Sequence, residues 1–515
     1  MNYFQAYLPS LDQATVAAWD SQVAGAAETP WLAEALAIKR AELFPRFASA
    51  YAGLRALPRG ARRNLQHQLA RSTELAEILP GFLQKKLAGS LAGAALLVAL
   101  GQGGAWAIQI PLTTTNPRVN ADGLCSLIEA IVNANDDAQT HADCPAGSGA
   151  DEIVLQAAGV HTLRKVDNTT YGVTGLPVIT STITITGNPG ARIRRKLTAP
   201  GFRIFAVGNS GDLTLDNVAV SGGRKSSING GGVYNLGVVA ITNNSTISGN
   251  RARYGGGVYN SYGELTITDS TVTGNKAGSG GGVHTYNGTL TINNSTISNN
   301  TVTTGLGYAD GGGVFSKAVH DTYSYPTSIV GSAITGNRAR FGGGVYALNT
   351  GYQSPVTIDG GTISLNNASL SGGGIYHYDG TMTIINSHVV TDNKAKFGGG
   401  IYNRSGELSI DSSTISNNTA TGRTFSSGGG INNYVDADLE VTNSTISGNR
   451  SRFGGGVYNT GYFYLDSSTI TTNTAIVRGG GVYNYDRPNA IPPTYATFTP
   501  VNSTVTGNTP DDVYP

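Results

Sequence analysis

The sequence predicts an all-β protein: a right-handed parallel β-helix of three strands per coil and about eleven to twelve coils, with a short N-terminal capping helix and a small helical leader before it. Three observations carry this. A Gly triplet followed by Val or Ile returns ten times, ending at Val233, Val258, Val283, Val314, Val345, Ile375, Ile401, Ile431, Val457 and Val482. The copies lie 25 to 31 residues apart, a period that means one supersecondary unit stacked many times. Between triplets recur Thr246-Ile247-Ser248-Gly249-Asn250 and its copies, and runs such as Glu264-Leu265-Thr266-Ile267-Thr268. Each period thus holds three short runs with apolar residues at alternate positions, which is strand periodicity.

Each coil offers only about four inward aliphatic side chains, Val258, Leu265, Ile267 and Val272 in one period. That is too little to order 25 backbones alone, so stability belongs to the stack. The Asn that closes each Thr-Ile-Ser-Gly-Asn unit tolerates a left-handed turn, and its amide can bond the copies above and below. The Gly triplets fit a corner of positive φ or close backbone approach.

Composition agrees. Of 515 residues 71 are Gly, and 13% are charged with a net charge of +1, which implies no nucleic-acid partner. No Cys/His spacing suits zinc and no calcium-binding nonapeptide recurs, Asp310 being a single acid before a triplet. No metal or cofactor is expected.

In chain order, residues 1–84 are rich in Ala, Leu, Arg and Glu and read as a helical leader. Residues 85–107 combine Lys85-Lys86, a short apolar run and Ala105-Trp106-Ala107, the pattern of a secretory signal, although such a signal normally opens a chain. Membrane contact is expected only through this segment. Residues 108–164 hold a first strand, then Ser126-x-x-Glu129, a capping box that starts a helix with Leu127, Ile131 and Ala134 on one face. A solenoid needs a cap at its open apolar end, and this helix supplies one. Cys125 and Cys144 read either as a disulfide, in keeping with export, or as two buried thiols. Residues 165–515 are the coils of a monomeric rod.

The stretch Asp122-Gly123-Leu124-Cys125-Ser126-Leu127-Ile128-Glu129-Ala130-Ile131, with Cys144-Pro145-Ala146-Gly147 and Glu152-Ile153-Val154-Leu155, resembles the exported bacterial family named for its Cys-Ser-Leu-Arg-Glu-Ala (CSLREA) motif. Ile128 stands where that motif has Arg. Residues 215–508 are similar to the chlamydial polymorphic outer-membrane-protein repeats, which also carry a Gly-Gly pair before an aliphatic residue. The resemblance implies an exported, cell-surface or secreted β-helix and no particular reaction.

Two ladders are candidate ligand surfaces. The first is aromatic: Tyr234, Tyr259, Tyr346, Tyr376, Tyr402, Tyr458 and Tyr483 each follow the triplet's aliphatic residue, with His284, Phe315 and Asn432 in the remaining copies. An outward strip of rings would stack on sugars. Packing on one another is the competing reading and needs no ligand. The second is cationic: Arg251 and Arg253, Arg338 and Arg340, Lys394 and Lys396, and Arg450 and Arg452 precede an aromatic residue and a triplet. This edge would meet an anionic ligand, or would merely be a solvated turn.

Catalytic carboxylates look scattered: Asp212, Asp216, Asp269, Asp359, Asp411 and Asp466 lie mostly beside turns, and His284, His377 and His388 fall in different coils. No catalytic residue is assigned. The expectation is an exported, non-enzymatic binding protein, adhesin-like, for a polysaccharide or cell-surface ligand. The rival is a polysaccharide-active lyase or hydrolase on a pectate-lyase-like β-helix.

Overall fold

The computed structural model describes residues 109–303, 310–319, 323–349, 354–422, 424–486 and 495–515, together with positions 17 and 20. The helical leader and the signal-like segment lie otherwise outside the described residues. The chain divides into two compact units, 1–107 and 108–515.

The second unit is a parallel β-solenoid of about 12 turns. One coil shows the plan. Glu264–Thr268 belongs to a first sheet, Thr271–Thr273 to a second, Lys276–Ala277 to a third and Val283–Tyr286 to a fourth. Among the described residues these sheets have 14, 13, 10 and 12 strands. Each strand pairs in parallel with its copy one coil away, as Leu265 with Leu290 and Ile267 with Ile292. The three expected strands are present, and the third sheet is additional. Its strands are as short as two residues, too short to show a period.

The aliphatic residues singled out above, Val258, Leu265, Ile267 and Val272, are all fully buried. They stack on the same residues of adjacent coils, so the core is a continuous apolar column.

The corner between the second and third sheets is held by an amide ladder. Asn250, Asn275, Asn300, Asn337, Asn366, Asn393, Asn418, Asn449, Asn473 and Asn508 occupy successive rungs, buried. At Asn393, Nδ2 donates to Asn418 Oδ1 (3.0 Å) and to the Ile363 carbonyl (2.8 Å). Its Oδ1 accepts from the backbone N and the Nδ2 of Asn366, both at 3.0 Å. The amide is therefore saturated, as a buried polar group must be.

The left-handed residue is not the ladder Asn but the one before it: Gly249, Gly274, Asn299, Gly336, Leu365, Asp392, Asn417, Gly448, Thr472 and Gly507 all have positive φ. The turn must be completed before the amide can point inward. Leu365 (φ 57°) and Thr472 (φ 57°) carry the strain that Gly avoids. Leu365 is also 63% exposed, so its side chain gives little in return. Leu365→Gly is expected to raise stability by about 1 kcal/mol, read as a higher guanidinium midpoint. A lower midpoint would show that the strain is compensated by contacts.

The Gly triplets serve the corner between the third and fourth sheets. Gly342 has φ +59°, and a Cβ on Gly343 would sit 2.4 Å from the Gly373 carbonyl of the next coil. Only Gly lets successive backbones approach this closely.

Helix α1 (Leu127–Asp136) packs on the strands Asp151–Leu155 and Thr182–Gly187. Its capping box is formed: Ser126 N donates to Glu129 Oε2 (2.9 Å) and Glu129 N to Ser126 Oγ (3.4 Å). Ile128 is buried with Leu127, Ile131 and Ala134. Cys125 and Cys144 form a disulfide, with Cα atoms 4.7 Å apart, which ties the start of the helix to the segment behind it.

Candidate functional site

The aromatic ladder does not present its rings to solvent. Tyr259, Tyr346, Tyr376, Tyr402, Tyr458 and Tyr483 are all buried, and Tyr234 is half-buried. They point away from the aliphatic core, yet the middle of the ladder stacks face to face along the fourth sheet. Phe315–Tyr346, Tyr346–Tyr376 and Tyr376–Tyr402 have ring centroids 4.9, 5.0 and 5.1 Å apart and planes within 10°. His284 fills one rung, 4.4 Å from Phe315. Within the run from Phe315 to Tyr402, each inner face that a sugar would need is occupied by the next ring. Burial pushes the Tyr259 hydroxyl up to about 12, and those of Tyr346 and Tyr402 further up, so they do not ionise at neutral pH.

The cationic ladder supplies part of that cover. Arg253, Arg340, Lys396 and Arg452 lie over the rings of Tyr254, Phe341, Phe397 and Phe453, at 5.0, 5.0, 5.0 and 6.0 Å. Phe341 and Phe397 in turn pack against the tyrosine stack. The second cation of each pair therefore rests on an aromatic ring. The first cations, Arg251, Arg338, Lys394 and Arg450, share one register column of the third sheet with neutral residues between most of them.

The acids beside turns act on the corner between the first and second sheets. Asp216 accepts from Asn243 (2.8 Å), Asp359 from Asn386 (2.7 Å), and Asp411 from Asn443 (2.8 Å) and Thr442 (2.9 Å). These Asn have positive φ, so each carboxylate fastens the strained residue of the next coil. The bonds from Asn443 and Thr442 hold the Asp411 carboxyl below its usual range. The histidines are equally internal. His377 Nδ1 lies 2.9 Å from Asn403 Oδ1, while its Nε2 is buried without a partner. His388 is buried with Nδ1 on the Gly360 carbonyl.

One outward face does gather chemistry. On the first sheet, Glu407 is in register with Asp438, and Asp438 with Tyr462. One column over, Ser409 pairs with Glu440, and Glu440 with Tyr464. Residues two apart on a strand share a face, so three carboxylates and two rings form a flat grid with rungs about 4.8 Å apart. Tyr462 is 55% and Tyr464 39% exposed, and the grid floors a shallow groove of about 370 Å³ that begins at Thr381. Glu407, Asp438 and Glu440 were not singled out from the sequence. The signal was there: aligning Glu407-Leu408-Ser409, Asp438-Leu439-Glu440 and Tyr462-Phe463-Tyr464 on their buried middle residue superposes the columns.

The grid has outward acceptors and apolar ring faces, which suit a sugar's hydroxyls and C–H face. Among the described residues no group of three or more His, Cys, Asp or Glu side chains is arranged to hold a metal ion. No protein-family profile, curated protein or solved structure matches this chain.

Proposed function

We propose that the protein is an exported bacterial β-helix, secreted or held at the cell surface, that binds saccharide as a rigid rod and is not an enzyme. The observation that carries the binding role is the exposed pair Tyr462 and Tyr464 beside Glu407, Asp438 and Glu440. Rings stack on the C–H face of a sugar, and carboxylates accept from its hydroxyls. Export is supported by the signal-like residues 85–107, by the resemblance around Cys125 and by the disulfide, which persists in oxidising compartments. The test is a glycan array probed with the full chain and with a Tyr462→Ala/Tyr464→Ala variant. Signals are expected to fall at least tenfold, and unchanged signals would remove this face.

The second reading, a polysaccharide-active enzyme, draws on one observation: Glu407 and Asp438 are adjacent rungs, and glycosidases work with two nearby carboxylates. Release of reducing ends from a polysaccharide panel, abolished by Glu407→Gln or Asp438→Asn, would establish it over the first.

A further inference from the structure

Positive charge is concentrated in the first coils, on a different face from the tyrosine grid. In the third sheet Arg224 is in register with Arg251, and Arg251 with Lys276. Three consecutive rungs therefore carry a cation, spaced about 4.8 Å apart. Farther along, the same column alternates: Thr301, Asn367, Thr419 and Thr474 stand between or beside Arg338, Lys394 and Arg450. Like charges on neighbouring strands are destabilising, and the rest of the column avoids them. The three adjacent cations have no carboxylate partner among the described residues, and Arg251 Nε is buried without any hydrogen bond.

A groove of about 500 Å³ adjoins this column, lined by Arg194, Lys196, Ser221, Gly222, Ser248 and Gly249 among others, with no carboxylate and no aromatic ring. Gly222 and Gly249 lie two residues before Arg224 and Arg251, so only the corner between the second and third sheets separates the groove from the column. Arg194 and Lys196 are exposed on its rim. Arg195 is turned inward and clamps the 196–200 loop, its guanidinium donating to the carbonyls of Ala199 (2.6 Å) and Gly222 (2.8 Å). Burial and the nearby Arg224 charge both push Arg195 below its ordinary value. Arg224 N donates to the Phe202 carbonyl (2.8 Å), which places Arg203 one rung below the column. Arg203 is itself buried with its guanidinium 4.5 Å over the Tyr234 ring, and its Nε and Nη1 make no hydrogen bond.

We propose that the Arg194/Lys196 groove and the Arg224–Arg251–Lys276 column bind a linear acidic polysaccharide laid along the coil axis, one anionic group to each rung. A single file of cations with a ring-free floor suits a chain of carboxylate- or sulfate-bearing sugars. Single-stranded nucleic acid is held on aromatic platforms, and none lines this groove.

The experiment titrates the full chain with polygalacturonate and heparin oligosaccharides, which separate carboxylate from sulfate, and with neutral dextran, single-stranded DNA and anionic vesicles. At least one acidic oligosaccharide is expected to bind, with affinity falling as salt rises. Arg224→Ser/Arg251→Ser/Lys276→Thr should weaken it at least thirtyfold, and without ligand should melt no lower than the parent chain. Arg194→Ala/Lys196→Ala, on exposed positions, should weaken it about tenfold. Arg338→Thr/Lys394→Thr/Arg450→Thr and the Tyr462/Tyr464 variant should bind as the parent does, which keeps this site distinct from the tyrosine grid. Failure of both acidic oligosaccharides to bind, equal binding by the first two variants, or tighter binding of DNA or vesicles would overturn the proposal.

Discussion

Asn393→Ala is expected to lower the stability of the solenoid by about 4 kcal/mol, although the side chain touches no candidate ligand. The substitution leaves Asn366 N without its acceptor, Asn366 Nδ2 with the Ile334 carbonyl alone, and the Ile363 carbonyl without its side-chain donor, all in a buried corner. Each orphaned buried group costs about 1–3 kcal/mol, and no water can reach the site without opening the stack. The neighbouring rungs are fixed by their own sheets, so the amides cannot close the gap. Coils contact only their neighbours, and the damage should therefore be local. Hydrogen exchange should speed up around Asn366 and Asn418 and stay unchanged around Asn250. A uniform change along the rod, or a loss below about 1 kcal/mol, would mean that the ladder follows the fold rather than holding it.

Acid is expected to destabilise the protein between about pH 6.5 and 4 through its buried histidines. Burial lowers His161 and His377 to about 4 and His284 to about 3. The unfolded chain takes up these protons at higher pH than the folded one. The stabilisation is complete above the unfolded value of 6.5 and is lost as pH falls towards 4. For His377 the difference corresponds to about 3 kcal/mol. Asp310 works in the opposite sense, because burial raises it to about 7 and its protonation below that value favours the folded state. His377→Asn isolates the effect. The corresponding residue one coil on is Asn403, whose Oδ1 already faces this position, so an amide would continue that ladder. The stability difference between pH 7 and pH 4.5, measured by guanidinium unfolding, should shrink by about 2 kcal/mol in the variant. An unchanged difference would place the acid sensitivity elsewhere.

The legible parts of the fold were those written as a period. Val258, Leu265, Ile267 and Val272 could be assigned to the interior because alternation and repetition agree. The ladder of Asn250 and its copies followed from the fact that a buried amide needs partners on both sides. Its backbone conformation did not follow. Leu365 and Thr472, poor left-handed residues, disguise the position that carries the turn.

Alternation likewise shows that Tyr346 points away from Val345, but not that its outer side is closed. The closure comes from Phe341 and Phe397 at the preceding corner, and from a third sheet whose strands, such as Lys276–Ala277, are too short to announce themselves. The grid of Glu407, Asp438, Glu440, Tyr462 and Tyr464 was hidden for another reason. These residues are far apart in the chain, and only the register makes them neighbours. The acids that drew notice in the sequence, such as Asp411, proved to fasten a turn.

The last rung of the amide ladder meets a different group. Asn508 N and Nδ2 both donate to Asp512 Oδ1, each at 2.9 Å, where every earlier rung meets another Asn. A carboxylate accepts without donating, so it terminates the series as an end group terminates a polymer. Interior units all present one interchangeable junction, so excising or duplicating one would splice matching halves together. The final unit has no such freedom. Variation in length among descendants of this gene is therefore expected to fall between Asn250 and Asn473, with the Asn508–Asp512 junction inherited intact.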